Sequence, residues 1–412
     1  MKNSARPVPK WLIILILGVL TALSPFSIDM YLSAFPEIAK ALDTTVAKVS
    51  LSLSSYFVGL AIGQLFYGPL LDRYGRKRPL YAGLTVYILS SVGCLFSHTI
   101  EGLIVFRFLQ ALGGCAASVA TMAMVRDLFT LREGAKVLSL LILILGASPL
   151  LAPSVGSYVS LAFGWHSVFV ILMGIAILLL ATVKFVLPET HRPDATVVLR
   201  FLPIVKSFAE ILREPQFYAF TLAGAVAFSG LFVYVAGSPL IFMGIFKVTP
   251  QVYGWIFAGI SVGFIGSSQL NIFFLRYYRN EQVLKAALVV QAIAGLLFLV
   301  AALVNQLSLP VALVLLFFIM GSVGFANPNA ASLALAPFER NAGRAAALMG
   351  FLQMGIGATA TVGIGLIGSE SILPTAVILA SSGTLGFVIL TMGTRGLVLK
   401  LNSEPHEIPS GH

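Results

Sequence analysis

The stretch GPLLDRYGRKR, residues 68 to 78, lies between an apolar run that ends near residue 70 and another that begins near residue 79. Gly68 and Gly75 permit a tight reversal between two helices. Asp72 stands among Arg73, Arg76, Lys77 and Arg78, where it can accept from a neighbouring helix N-terminus while pairing with an arginine. A turn of this kind joins two long apolar helices that start and finish on one side of a membrane.

The rest of the chain agrees. Of its 412 residues 58% are hydrophobic and only 10% are charged, and the mean hydropathy is +0.96, far from the quarter-charged composition of soluble domains. Apolar runs of about 20 residues recur, each long enough to cross roughly 30 Å of hydrocarbon as a helix. The spans are expected at 11–36, 46–70, 79–97, 101–124, 136–160, 166–187, 217–242, 251–275, 283–303, 309–336, 343–367 and 372–395. The runs are continuous rather than alternating, which excludes a β-barrel. The expected fold is an all-α polytopic membrane protein with twelve transmembrane helices, the first of them an uncleaved helix and no signal peptide.

Lysine and arginine gather on the cytoplasmic side of membrane proteins. With the N-terminus inside, the outer loops hold only Lys40, Lys48 and Lys247, and Arg107 is intramembrane. The net charge of +10 is then a topology signal, and no soluble basic domain exists for nucleic acid. Both termini are expected in the cytoplasm. Cys94 and Cys115 fall inside spans, where packing is their expected role.

The longest polar connection, residues 188–216, divides the chain. It separates an N-terminal six-helix half (1–187) from a C-terminal half (217–395), followed by a polar tail (396–412). Two such halves are expected to face each other, pseudo-symmetrically, across a midplane site. Within the connection Phe201, Ile204, Val205, Phe208 and Ile211 have helical spacing and suit either the membrane surface or a solvated connector.

Two charges are clearly intramembrane, Asp29 and Arg107, and an ionisable group at membrane depth marks a cavity, a partner or a functional path. Asp29 lies seven residues before Pro36 and Arg107 six after Glu101, which puts both about 10 Å inside their span ends. At like depth the two can form a structural salt bridge. Alternatively, Asp29 changes protonation: an apolar cavity favours a neutral carboxyl and a nearby arginine the anion, so moving one against the other switches proton affinity. Gln110 lies one turn from Arg107 on the same face. A proton driven by roughly 150 mV supplies about 3.5 kcal/mol, enough for a several-hundred-fold gradient.

Residues 68–78 resemble the loop signature of the major facilitator superfamily, G-x-x-x-D-R-x-G-R-K, at Gly68, Asp72, Arg73, Gly75, Arg76 and Lys77. RFLQALGG with Arg107 and Gln110, the RD pair Arg126 and Asp127, GASPLLAPSVGS with Pro149, Pro153 and Gly156, LPET at 187–190, and SIDMYLSAFP together resemble its bicyclomycin- and chloramphenicol-resistance branch of drug:proton antiporters. Two features depart from the pattern. Ala152-Pro153 and Gly156-Ser157 stand where the fifth-span signature has Gly-Pro and Gly-Gly, and Thr21 stands where some relatives carry a second acidic residue.

The resemblance implies proton and substrate coupling through Asp29 and Arg107, export of small amphipathic drugs from a bacterial inner membrane, and a cytoplasmic gating cluster of Asp72, Arg76 and Asp127. Pro149 and Pro153 can bend span five. Ser55, Gly59 and Gly63 form a small-residue stripe for close helix approach. A drug site between halves would draw on Tyr31, Phe228, Phe232 and Tyr234, with Asn327 and Gln353 as polar contacts; Asp29, Arg107 and Gln110 would border it.

Export of a natural metabolite, such as a siderophore, sugar or nucleoside, by the same mechanism is the alternative. A membrane redox enzyme lacks support, since His98, His166, His191, His406 and His412 fall in loops or the tail and give no intramembrane haem or metal ligands. There is no Walker loop for ATP-driven pumping, and a charge pair with two similar halves favours alternating access over a passive channel. No metal or cofactor is expected. The partners are protons, an amphipathic drug and the bilayer, and the chain is expected to act as a monomer.

Overall fold

The computed structural model describes residues 9–194, 208–338, 342–367 and 371–397. Its helices are α1 (Lys10–Leu32), a short α2 (Phe35–Ala41), α3 (Val46–Tyr74), α4 (Lys77–Leu95), α5 (Ile100–Leu128), α6 (Leu131–Phe163), α7 (His166–Phe185), α8 (Pro215–Pro239), α9 (Pro250–Phe274), α10 (Asn280–Leu303), α11 (Leu309–Leu335), α12 (Ala342–Ile367) and α13 (Leu373–Gly393). Among the described residues, and without α2, twelve helices are long enough to cross a bilayer. Eleven of them are also strongly apolar; α4, which carries Lys77, Arg78, Ser90 and Ser91, is the least so.

The same helix pairs pack in both halves. In the first, α3 and α4 lie on α5, α1 on α6, and α7 on α4; in the second, α9 and α10 lie on α11, α8 on α12, and α13 on α10. The halves meet chiefly through α3 with α12 and α6 with α9, two contacts that a pseudo-twofold axis exchanges. One apolar core, including Tyr31, Phe57, Phe169, Phe232, Phe242 and Phe298, joins both halves on the side away from the linker. On the linker side each half has its own core, around Leu71, Leu84 and Val183 in one and Phe217, Leu284 and Leu333 in the other.

Small residues set the closest approaches. A Cβ on Gly59 would lie 2.5 Å from the Phe108 carbonyl oxygen, and one on Gly63 2.7 Å from Cys115 Cβ, so the stripe on α3 admits α5. Ser55 of the same stripe donates to the Ile104 carbonyl at 2.9 Å. Cys94 and Cys115 are buried free thiols.

Three expectations need correction. Span one does not run to Pro36: α1 stops at Leu32, and Pro36, which cannot donate to a continuing helix, sits in the first turn of α2. Asp29 is therefore in the last turn of α1. His166 lies in the first turn of α7, not in a loop. Span seven does not close at residue 242, since α8 passes into a π-helical turn over Leu240–Ile245. Of the apolar stripe in the linker only Phe208 and Ile211 are described; residues 195–207 and the tail from 398 lie outside the described residues.

Candidate functional site

Arg107 is fully buried in α5, and its fork is fixed at both tips. One terminal nitrogen donates to Gln110 Oε1 at 2.6 Å and the other to the Ser27 carbonyl oxygen at 2.9 Å. Gln110 in turn donates to Ser91 Oγ at 2.8 Å, and Ser27 Oγ shares a 2.5 Å hydrogen bond with Tyr87. The guanidinium carbon stands 4.6 Å from the Tyr31 ring centroid and 4.3 Å from that of Tyr56. Among the described residues no carboxylate pairs with it. A desolvated cation over an aromatic face is stabilised by about 2 kcal/mol, so two rings and two acceptors take the place of a counter-ion.

The salt bridge open to Asp29 and Arg107 is not made. Depth was matched but direction was not. Ser27 and Tyr31, one turn apart, point at Arg107, whereas Asp29, two residues from either, is on the opposite side of α1. The Asp29 side chain is buried and makes no hydrogen bond or ion pair among the described residues. Its electrostatic neighbours are Tyr234 of α8 and Tyr253 of α9, both in the other half. Tyr234 Oη is buried without a hydrogen-bond partner.

The remaining drug-site candidates divide in two. Tyr31 and Tyr234 are packed away, the first bonded to Ser52 Oγ at 2.9 Å and the second stacked on Phe257 at 5.2 Å, so neither lines open space here. Phe228 and Phe232 meet edge to face at 5.3 Å, and Phe232 meets Phe57 of the first half at 4.5 Å. Gln353 donates to Asn327 Oδ1 at 3.0 Å, and both are half-buried. Gln64 of α3, also half-buried, reaches across to Gly350 of α12.

Gly156 of α6 abuts α1 beside the aspartate. A Cβ there would overlap the Met30 carbonyl oxygen, so glycine is needed for the approach. Pro149 and Pro153 lie inside α6, which continues through both as one helix.

At the linker side Arg76 is the hub. It donates to Asp72 Oδ1 at 2.6 Å, to Asp127 Oδ2 at 2.8 Å and to Asp127 Oδ1 at 3.3 Å. Burial works against its charge, but the hydrogen bonds to Asp127 and Asp72 outweigh that and hold its proton more firmly than water would. Glu189 accepts from the backbone N–H groups of Arg76 and Lys77 at 2.8 and 3.1 Å, capping α4 as an anion at a helix N-terminus should. Thr190 Oγ1 donates to Asp127 at 2.9 Å, and Lys77 Nζ to the Leu187 carbonyl at 2.7 Å. Gly75 has φ +82°, and a Cβ there would also press on Glu189 at 3.0 Å. Arg73 stands 5.6 Å from the Tyr74 ring. A Cβ on Gly68, by contrast, would meet nothing within 4 Å.

Sequence reasoning names Arg107 and Gln110 but not their partners Ser27, Tyr56, Tyr87 and Ser91, nor Gln64, Glu189 and Thr190 as part of the arrangement. The signal for the intramembrane ones is the polar residue inside an apolar run, weak for serine, which bonds its own helix. Two pseudo-equivalent halves, a buried carboxyl facing the seam and a charge clamp at one membrane face define a membrane carrier.

The chain belongs to the major facilitator superfamily, whose family model matches residues 17–361. It is 33% identical over 348 residues to a bicyclomycin resistance protein homolog of Haemophilus influenzae, covering 84% of this chain and 87% of the relative. It is 32% identical over 380 residues to an uncharacterized MFS-type transporter of Bacillus subtilis, YdgK, covering 91% and 94%. It is 33% identical over 356 residues to the multidrug resistance protein MdtL of Escherichia coli, covering 84% and 88%. The fold matches a D-xylose-proton symporter with a TM-score of 0.72 at 14% identity, covering 92% of this chain and 97% of that one.

Proposed function

We propose that this protein exports small amphipathic drugs across a bacterial inner membrane in exchange for protons, working by alternating access as a monomer. The observation that carries the reading is Asp29: a buried carboxyl with no partner, in the last turn of α1, turned toward the second half. An ionisable group so placed is a functional group by default. Asp29 takes up and releases the coupling proton, and Arg107 positions it by holding the Ser27 carbonyl on the same helix. Phe228 and Phe232 offer aromatic surface to a flat apolar drug, with Asn327 and Gln353 as its polar contacts.

The relatives named for bicyclomycin and multidrug resistance support the drug class. The basic residues of the linker-side loops support a cytoplasmic linker and termini. The shared core then closes the outer side, and the Arg76 clamp with Gly68 is where the halves approach in the alternate state. Nothing in this reading requires a chemical conversion of the cargo, a metal or a cofactor.

The test uses liposomes holding a pH-sensitive dye. Drug-evoked proton movement present in the native protein and lost in Asp29→Asn, with drug binding retained, is the expected result. Unchanged coupling in Asp29→Asn overturns the role of Asp29. No response to chloramphenicol-like or cationic drugs overturns the substrate class in favour of a metabolite.

A further inference from the structure

Outside the seam, α9, α10 and α11 enclose a cavity of about 830 Å³. Phe274, Phe317, Phe318 and Phe325 line it with Leu270 and Val290, and several of these residues are exposed on the outer surface of the second half. Along α9 it reaches from Val262 to Phe274, roughly 18 Å, which exceeds the ~15 Å depth of one leaflet. Within the membrane-depth part its hydroxyls are already engaged: Ser267 donates to the Phe264 carbonyl at 2.9 Å and Ser322 to the Phe318 carbonyl at 2.8 Å; Tyr278 and Gln282 stand at the linker-side end. A drug with hydrogen-bonding groups finds both serine hydroxyls taken there; a hydrocarbon chain needs no such partner.

The linker-side mouth differs. Arg276, Arg279 and Lys285 are exposed there, and none forms an ion pair among the described residues. Glu281 is the one carboxylate in the same stretch. Tyr277 and Tyr278 are exposed beside them, as aromatic side chains at the headgroup level are.

We propose that this groove holds an anionic phospholipid, one acyl chain lying between α9, α10 and α11 and the phosphate meeting Arg276, Arg279 and Lys285. Basic residues at a membrane surface favour anionic headgroups, and the hydrocarbon wall supplies a place for the chain.

The experiment is native mass spectrometry of the full-length protein, delipidated and given phosphatidylglycerol and phosphatidylethanolamine in equal amounts. Native protein is expected to retain the anionic lipid several-fold over the zwitterionic one. Arg276→Gln with Arg279→Gln should bring the ratio to one, while Arg395→Gln, at another point of the same membrane face, should leave it unchanged. Gly266→Leu places a side chain in space where a Cβ meets nothing within 4 Å, and should reduce retention of both lipids without unfolding the protein. Equal retention by native protein overturns the proposal, as does a preference that survives the double substitution. Retention unchanged by Gly266→Leu, or a dimer in place of lipid adducts, overturns the placement of the chain in this groove.

Discussion

The two halves use the same helix pairs and fill their centres differently. In the first half the centre is a cation, Arg107, with its fork, two rings and a serine–tyrosine–glutamine chain around it. In the second the centre is neutral: Gln291 donates to the Ala227 carbonyl at 2.9 Å and to Ser382 at 3.2 Å, and Asn329 donates to Asn271 at 2.7 Å. Burying a charge costs far more than burying an amide, so among the described residues the first half carries the more sensitive centre.

The largest effect is expected at Arg107. Arg107→Lys cannot hold Gln110 and the Ser27 carbonyl with one compact ammonium. Breaking a buried charged network costs on the order of 3 kcal/mol, or about ten- to a hundredfold in transport if half to all of it falls on the working state. Transport in vesicles and thermal unfolding in detergent check this, and native-like values for both would reduce Arg107 to a replaceable cation. Gly156→Leu follows, since its side chain meets the Met30 carbonyl; overpacking of this kind costs about 1–3 kcal/mol. Transport should fall roughly tenfold or more by the same conversion, and Gly156→Ala less. An active Gly156→Leu would show that α1 can move off α6 freely.

Asp127→Asn weakens the clamp without emptying it, because Asp72 still holds Arg76. Charged hydrogen bonds contribute about 1.5–3 kcal/mol, and the expected readout is a several-fold change in how often a cysteine at position 68 is labelled from the linker side. An unchanged labelling rate separates the clamp from the transport cycle. Gln291→Met is the mildest. It should cost about 1 kcal/mol of stability and leave protons moved per drug as in the native protein. A loss of coupling there would erase the distinction between the halves.

Much of the fold is legible in the residues. Continuous apolar runs mark the spans. The signature loop marks the clamp, because Asp72, Arg76 and Asp127 meet as its chemistry requires. The relation of Asp29 to Arg107 is less legible. Rise per residue puts both at one depth, yet 100° per residue turns Asp29 away from Ser27 and Tyr31, and which face meets which helix depends on packing between distant segments. Tyr31 and Tyr234 are packed away for a similar reason: in a chain with 30 phenylalanines and 12 tyrosines, ring type says little about whether a side chain lines a cavity or fills a core. Thr21, the position that lacks a carboxylate, bonds its own helix at the Leu17 carbonyl, 2.9 Å away, and so is an ordinary buried threonine.

Glu189 and Thr190 open the polar connection between halves and yet belong to the clamp, and the Asp194 backbone donates to the Asp72 carbonyl at 3.3 Å. The first residues of that connection are therefore anchored to the half they leave. Protein engineers who wish to insert a reporter, a protease site or a break between separately expressed halves have a boundary to respect: a cut before Glu189 would remove the cap of α4 and disable the latch along with it.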